Sequence, residues 1–453
     1  MRLRPVPHGA GIACTSATDT RRQEGYVVPA VTDGYLECEY LLSGSARTYA
    51  GPVTGPVTVK TDERPYITRV LVRRPRDPAA FSGRVLIEPF NTTYGADLDA
   101  LWCRVGTVVQ SDGDGWIGVS ARAGSVGTLK AFDAARYAEL DFATNDLEWD
   151  LLAALAASLK AGAEYSPLSD LPVRYVYLGG YSQSGLDTAT FATAFHLNAR
   201  LSNGAPIYDG YFPAAHAASL TSINSGDAGL PPLESAKVGP VDVPLIEVQP
   251  QSDVEGFSDM IGTHAFTIAG SASLRRDDAD DVDDRYRLYE VAGAAHAAHL
   301  DGCDGNGSSF PTDAFLRAAY RHLTRWAENG NTPPKASRIA LSAAGDVSVA
   351  AVDEHGNPVG GVRSPFVDVP LVRYAAHSTP GPLCKLVGSE TPLSAATLRE
   401  LYGDADGYMR DFTAALDVTI QDGFLLADDR SSLLALAVDR AREAFSALEV
   451  GIP

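Results

Sequence analysis

Three residues that together could activate a hydroxyl group occur in a defined order along the chain. Ser182 lies in the run GGYSQSG, Asp253 ends the run QPQSD, and His296 ends the run AGAAH. A serine hydroxyl is a weak nucleophile until an imidazole accepts its proton, and a carboxylate must orient that imidazole. The order serine, acid, histidine therefore predicts acyl-transfer chemistry, with Ser182 as nucleophile, Asp253 as acid and His296 as base.

The segment around Ser182 has the composition of a sharp strand-to-helix turn. Small residues two places before and two places after a nucleophilic serine relieve the crowding at such a turn. Gly180 and Ser184 occupy these places, and Gly185 can share the part of Ser184. The hydroxyl of Ser182 is expected at the N-terminus of the next helix, where N–H groups favour an oxyanion.

Donors for that oxyanion are predicted from two segments. The backbone N–H of Gln183 is one candidate, because this residue follows the nucleophile directly. The second donor is expected in the loop after the third strand, where Asn91 and Thr92 offer their backbone N–H groups. A plain turn formed by asparagine and glycine explains this loop almost as well.

The acid and the base each have a rival nearby. Glu255 is the second candidate for the acid, and His299 is the rival of His296. The other histidines and the cysteines show no spacing typical of metal ligands, so we predict no metal and no cofactor. Residues 277–284 (DDADDVDD) lack the glycine and the spacing of a calcium-binding loop, which favours a solvated acidic loop.

The elements that would position these residues alternate between short apolar runs and helical patterns. Buried strands are predicted at 84–88, 116–120, 173–178, 206–212, 243–248 and 285–291, after a first strand-and-turn region that ends near residue 75. Helices are predicted at 146–162, with Asp146 as N-cap, and at 186–197, 312–329, 394–423 and 430–449. This alternation predicts an α/β fold with a mostly parallel central sheet and helices on both faces.

Composition restricts the partners and the compartment. The formal charge of −20 argues against nucleic acid or an anionic membrane as a partner. No apolar run reaches the length of a membrane-spanning helix, and the N-terminus shows no apolar core of a signal peptide. The five scattered cysteines are expected as mostly buried free thiols, with a Cys303–Cys384 disulfide as the minority alternative. The cytoplasm is the expected location.

Ordered sequence blocks also resemble a known family. The blocks include VLIEPFNTTYGAD, GGYSQSG, VPLIEVQPQSD, RYRLYEVAGAAH and DEHGNPVGGVRSPFVDVPLVRY, and they span roughly residues 65 to 450. They are similar to the alpha/beta hydrolase domain family of bacterial esterase-like proteins whose nucleophile turn reads G-x-S-Q-S-G. The resemblance implies the α/β-hydrolase fold and carries the serine and histidine roles onto Ser182 and His296. The family often has Glu where this chain has Gln251, a departure that favours Asp253 as the acid.

One domain is expected over residues 1–453, with a core at about 30–335 and an appended C-terminal layer at about 336–453. Lid segments are expected within 213–240 and 254–284. The leading hypothesis for function is a serine hydrolase that cleaves a small-molecule carboxylic ester or a lactone through an acyl-enzyme on Ser182. The alternatives are an acyltransferase or cyclase of secondary metabolism with the same triad, and a catalytically silent binding protein.

Overall fold

The structure is a computed structural model that describes residues 1–6, 31–93, 95–224, 233–257, 268–298, 303, 307–344, 347–378 and 383–449. The chain divides into two compact units. The first unit comprises residues 1–247, 276–287 and 323–331, and the second comprises residues 248–275, 288–322 and 332–453. The C-terminal region thus groups with residues 248–275 and 288–322. The single-domain assignment stays a prediction.

A ten-stranded sheet has the strand order β1-β2-β3-β5-β4-β6-β7-β10-β14-β13. Its strands are β1 (Arg2–Pro5), β2 (Tyr35–Ala50), β3 (Thr58–Pro75), β4 (Arg84–Pro89), β5 (Gly115–Val119), β6 (Tyr175–Tyr181), β7 (Gly210–Ala214), β10 (Pro244–Pro250), β13 (Ala279–Asp281) and β14 (Asp284–Val291). The middle strands β5, β4, β6 and β7 pair in parallel, whereas β1 to β3 and the β13–β14 pair are antiparallel. The predicted mostly parallel central sheet is confirmed.

Continuous apolar sequence explains the middle of this sheet. Strands β4 (RVLIEP) and β6 (YVYLGGY) are buried along nearly their whole length. Parallel strands covered on both faces have this composition, whereas a half-solvated strand would alternate. The predicted strand at 206–212 is displaced: residues 200 and 206 form an isolated bridge, and the strand itself begins at Gly210.

Short antiparallel pairs lie outside the large sheet among the described residues. They are formed by β8 (Ser219–Thr221) with β9 (Leu233–Ser235), β11 (Gly256–Phe257) with β12 (Ile268–Ala269), β15 (Leu341–Ala344) with β16 (Val347–Ala350), and β17 (Val372–Ala375) with β18 (Ser389–Pro392). The acidic run at 277–284 is only partly a loop, because residues 279–281 form β13 and residue 284 begins β14. Arg287 and Arg276 pair there with Asp280 and Asp284.

The helices largely follow the predicted pattern. They are α1 (Trp102–Ser111), α2 (Ala123–Phe132), α3 (Glu148–Lys160), α4 (Gln183–Thr190), α5 (Gln251–Glu255), α6 (Thr312–Asn329), α7 (Pro365–Asp368), α8 (Ala395–Tyr402), α9 (Ala405–Gln421) and α10 (Arg430–Glu449). Asp146 is not an N-cap: Thr144 caps a 3₁₀ turn before α3 and accepts the N–H of Asp146. Helix α4 begins at Gln183 and continues as a π-helical turn at Phe191–Phe195. Within the part of the chain that the structure describes, no helix is both long and apolar enough to cross a membrane.

The cysteines differ from the favoured expectation of free thiols. Cys303 and Cys384 form a disulfide in the second unit, and their Cα atoms lie 5.4 Å apart, a separation that a disulfide spans readily. Cys38 is also disulfide-bonded, whereas Cys103 is a free, half-buried thiol. The prediction of mostly free thiols is therefore wrong, because the fold brings residues 81 positions apart within bonding distance.

Candidate active site

Ser182 occupies a strained turn between β6 and α4 in the first unit. Its φ of 61° and ψ of −123° are unusual for a residue with a side chain. A Cβ on Gly180 would come within 2.1 Å of the Ser184 carbonyl oxygen, and one on Gly185 within 2.3 Å of the Ala214 carbonyl oxygen. Gly180 and Gly185 therefore make room for this turn. Ser182 itself is only partly buried.

Hydrogen bonds hold the turn from both sides. The N–H of Ser182 donates to the Ala214 carbonyl at the end of β7, at 3.0 Å. The Ser184 hydroxyl accepts the N–H of Tyr181 at 3.0 Å and donates to the Tyr181 carbonyl at 3.1 Å. The hydroxyl of Ser184 thus stabilises the turn. Gly185 is the residue whose backbone lies close to β7. The backbone of Ser182 is fixed before any substrate binds.

The predicted oxyanion residues lie together, but their N–H groups differ in availability. Gln183 is the first residue of α4, so its N–H has no acceptor within the helix. The N–H of Asn91 donates to the Leu98 carbonyl at 2.9 Å, and that of Thr92 donates to Gln183 Oε1 at 2.8 Å. The predictions of Asn91 and Thr92 as N–H donors to an oxyanion are therefore both corrected, since the Leu98 carbonyl and the Gln183 side chain accept these N–H groups.

Asn91 contributes through its side chain instead. Its Nδ2 donates to the Tyr181 carbonyl at 3.0 Å, and its Oδ1 accepts the N–H of Thr93 at 3.0 Å. The side chain thus ties the loop after β4 to the residue that precedes Ser182. This role was not predictable from the Asn/Gly composition of the loop, because it depends on the position of β6 beside β4.

The predicted acid and base form a close pair in the second unit. Nδ1 of His296 lies 3.0 Å from Oδ1 and 3.2 Å from Oδ2 of Asp253. Asp253 is fully buried, and His296 is 9% exposed. A carboxylate at Nδ1 keeps the N–H on that nitrogen, which leaves Nε2 as the ring atom that can accept a proton.

Neighbouring hydrogen bonds fix this pair. The Ser252 hydroxyl donates to Asp253 Oδ2 at 3.0 Å. The N–H of Gly293, where φ is 85°, donates to Gln251 Oε1 at 3.0 Å and joins the loop of the base to the loop of the acid. Sequence patterns did not predict this contact of Gln251.

Glu255, the rival acid, belongs to a different pair. Its Oε1 accepts from Gln251 Nε2 at 2.8 Å and from the Ala350 N–H at 3.1 Å, and its Oε2 lies 3.5 Å from Nε2 of His377. Burial raises the pKa of Glu255, but the contacts with His377 and Gln251 outweigh burial and lower it. Sequence reasoning missed the Glu255–His377 pair, since no motif surrounds His377. His299, the rival base, lies outside the described residues.

Two further histidines are buried. His196 Nδ1 lies 2.9 Å from the Tyr211 hydroxyl, and its Nε2 contacts Asp242. Burial lowers the pKa of His196 although Asp242 opposes this. The Nε2 atom of His216 lies 3.3 Å from Glu247 Oε1. In the described part of the chain, no cluster of three or more His, Cys, Asp or Glu side chains could hold a metal ion.

Comparison with known proteins identifies the class. The family model "Alpha/beta hydrolase domain" matches residues 3–435. The parallel sheet with its helices and the turn at Ser182 agree with this match, and the chain belongs to the alpha/beta hydrolase domain family. A search of curated protein sequences found no match.

Solved structures include three distant likenesses. A putative dienelactone hydrolase from Klebsiella pneumoniae subsp. pneumoniae MGH 78578 is 9% identical, with 47% of this chain and 73% of that chain covered and a TM-score of 0.24. An alpha-beta serine hydrolase homologue from Coxiella burnetii is 9% identical, with 50% and 82% covered and a TM-score of 0.25. A cold-adapted esterase from an Arctic intertidal metagenomic library is 12% identical, with 51% and 76% covered and a TM-score of 0.26. These low values do not bear on the substrate of this chain.

Proposed function

We propose that this chain is a serine hydrolase of the esterase-like branch with a G-x-S-Q-S-G turn, and that it cleaves a small-molecule carboxylic ester or a lactone. The observation that carries the proposal is the backbone of Ser182, which has a left-handed φ at a strand-to-helix turn. Strain of this kind persists where the surrounding structure holds it, and it is concentrated at functional sites. The buried Asp253–His296 pair supports the proposal from the second unit.

The proposed reaction has two half-reactions. Oγ of Ser182 attacks the ester carbonyl while Nε2 of His296 takes the hydroxyl proton, and Asp253 stabilises the imidazolium that forms. The carbonyl oxygen becomes an oxyanion, which the N–H of Gln183 stabilises. The carbon–oxygen bond of the leaving alcohol then breaks, and the alcohol receives the proton from His296. Water, deprotonated by His296, releases the acid from Ser182 in the same way.

The first test is Ser182→Ala assayed on a series of alkyl esters and ring lactones. We expect turnover to fall by about 10⁴-fold or more, because no other hydroxyl replaces the nucleophile. The matched control is Ser158→Ala, which removes a buried serine hydroxyl from α3 and should leave the rate unchanged. Fluorophosphonate labelling should modify the wild type and spare Ser182→Ala.

The same assay separates the alternatives. A wild type that hydrolyses nothing and takes no fluorophosphonate label would support the silent binding protein and contradict the proposed hydrolase. Preferential formation of a new ester when an alcohol is added would support the acyltransferase. Activity of Ser182→Ala within tenfold of wild type would remove Ser182 from the mechanism.

The cytoplasmic location remains a prediction, and the disulfides weigh against it. Cytosolic thiols are kept reduced, whereas disulfides persist in oxidising compartments. The Cys303–Cys384 bond therefore favours an oxidising compartment for the folded enzyme.

A further inference from the structure

The side chain of Gln183 bridges two parts of the first unit. Its Oε1 accepts the N–H of Thr92 at 2.8 Å and lies 3.4 Å from the Thr92 hydroxyl. Its Nε2 donates to Oδ2 of Asp187, one turn further along α4. Gln183 is only 3% exposed, so both ends of its amide are engaged inside the protein.

Asp187 determines which way this amide points. It is fully buried, and its Oδ1 accepts from Arg122 Nη2 and, at 3.0 Å, from the Thr221 hydroxyl. A carboxylate can only accept hydrogen bonds, so the NH₂ end of Gln183 must face Asp187. Oε1 is thereby directed towards Thr92. The orientation of the amide thus follows from the charge of Asp187.

The loop that carries Thr92 is fixed at its base by other contacts. Asn91 joins the start of the loop to the Tyr181 carbonyl. Arg69 pairs with Asp97 at 3.2 Å, and Arg73 pairs with Asp99 at 2.6 Å, at the far end of the loop. The hydrogen bond from the Thr92 N–H to Gln183 attaches the same loop, next to Asn91, to the N-terminus of α4.

We propose that Gln183 is a positioning residue whose side-chain amide, oriented by Asp187, clamps the Thr92 loop to the start of α4 and so shapes the oxyanion site. The backbone N–H of Gln183 contacts the reacting atoms in the proposed mechanism, whereas the side chain acts through Thr92. The kinetic part of this inference rests on the proposed hydrolase function. Its structural part, the Thr92–Gln183–Asp187 chain of hydrogen bonds, does not.

Gln183→Glu tests the clamp through pH. When protonated, the introduced carboxyl can donate its O–H to Asp187 and accept from Thr92, as the amide does. When ionised, it places a second carboxylate against Asp187, and like charges at this distance repel. Among the described residues, the titratable and charged groups near this contact are Arg122, Glu148 and Asp146. Arg122 already contacts the carboxyl groups of Asp187 and Glu148, so it is not free to compensate a further carboxylate.

The quantity to measure is the ratio of variant to wild-type kcat from pH 5.5 to 8.5, which cancels the pH dependence that the two enzymes share. We expect a ratio within about threefold of one at the acid end and a fall of at least about tenfold at the alkaline end, with little change in KM. Gln110→Glu is the matched control, because Gln110 Oε1 accepts the N–H of Thr32 away from α4. Its ratio should stay near one throughout.

A reciprocal exchange provides the rescue. In the double variant Gln183→Glu with Asp187→Asn, the introduced carboxylate can accept from both the Asn NH₂ and the Thr92 N–H. Arg122 keeps its contact with the carboxyl group of Glu148, 3.1 Å away. We expect kcat to recover relative to Gln183→Glu at pH 8.5 and the pH dependence of the ratio to disappear.

Gln183→Met, which removes both hydrogen bonds without adding charge, gives a second variant and a measurement independent of activity. We expect amide hydrogen exchange at Thr92 to become at least about tenfold faster in this variant, and in Gln183→Glu at pH 8.5. Accelerated exchange in a protein without esterase activity would sustain the clamp and overturn the proposed function. A pH-independent kcat ratio in Gln183→Glu, or unchanged exchange at Thr92 in folded Gln183→Met, would overturn the clamp.

Discussion

At the scale of single residues, the assignment of the acid is the sharpest test of the proposed triad. Asp253→Asn keeps the size of the side chain but removes the charge that holds the His296 N–H on Nδ1. We expect kcat to fall by about 10³-fold or more with KM little changed. Steady-state kinetics at a pH where the wild type is fully active would measure this.

Glu255→Gln is the natural comparison, since Glu255 lies in the same short helix. It contacts His377, Gln251 and the Ala350 N–H, and its replacement should affect local stability more than kcat. A larger loss of kcat in Glu255→Gln than in Asp253→Asn would reverse the assignment.

The residues that the sequence could predict are those with a local signal. Ser182 has a motif, and Asp253 and His296 follow buried strands in the expected order. The N–H of Asn91 could not be assigned, because its acceptor at Leu98 depends on how the loop folds back. The burial of His216 was missed for a similar reason, since its partner Glu247 lies on a strand distant in sequence.

At the scale of elements, the junction of β4 with α1 depends on one buried carboxyl. Glu88 at the end of β4 accepts the N–H groups of Leu101 and Trp102 at the start of α1, and the indole N–H of Trp116. Burial raises the pKa of Glu88 to about 8, although these donors favour the carboxylate. Sequence patterns predicted β4 but not α1, and they gave no sign that Glu88 joins the two elements.

Glu88→Gln should destabilise the protein in a pH-dependent way. An amide has one oxygen, so an N–H loses its acceptor, at a cost of about 1–3 kcal/mol. The raised pKa means that the folded wild type binds a proton at Glu88 more tightly than the unfolded chain does. This proton binding stabilises the fold fully below about pH 4.5, and the stabilisation is lost as the pH rises towards 8. The difference in unfolding free energy between wild type and variant should therefore narrow from pH 5 to pH 8.

Denaturant unfolding at several pH values measures this difference. Glu139→Gln, at an exposed glutamate paired with Arg4, controls for the general effect of removing a carboxylate. A difference for Glu88→Gln that stays constant or widens between pH 5 and pH 8 would contradict the assignment of a raised pKa to Glu88.

Element boundaries show where sequence patterns stop being informative. The alternation of apolar runs and helices predicted β4, β5 and β6 closely, because each is buried along nearly its whole length. Strand β7 was placed too early, since Ile207 and Tyr208 are apolar and buried like the strand but precede its first residue, Gly210. The π-helical turn at Phe191–Phe195 was not predicted, because the spacing of its apolar residues does not differ from that of an α-helix. Its aromatic rings contact Trp149 and Tyr208, which lie outside this helix.

At the scale of the whole molecule, the disulfide and the charge concern the compartment in which the chain works. A formal charge of −20 is compatible with any aqueous compartment, so it does not indicate where the protein is located. The Cys303–Cys384 bond is more discriminating, because disulfides persist in oxidising compartments. It joins residues that are 81 positions apart in the sequence. Closing a loop of this length restricts the unfolded chain and is expected to contribute about 4.5 kcal/mol.

Replacing both cysteines by serine should therefore lower the free energy of unfolding by up to about 4.5 kcal/mol. Cys103→Ser is the matched control, because Cys103 is a free thiol and its loss opens no loop.

Peptide mapping without reduction tests whether the bond forms. It should recover residues 303 and 384 in one cross-linked fragment. Alkylating the thiols of intact native cells before lysis extends the test to the compartment: a cross-linked fragment indicates an oxidising location. Alkylated Cys303 and Cys384 would instead show that the bond does not form where the chain resides, and would restore the cytoplasmic assignment.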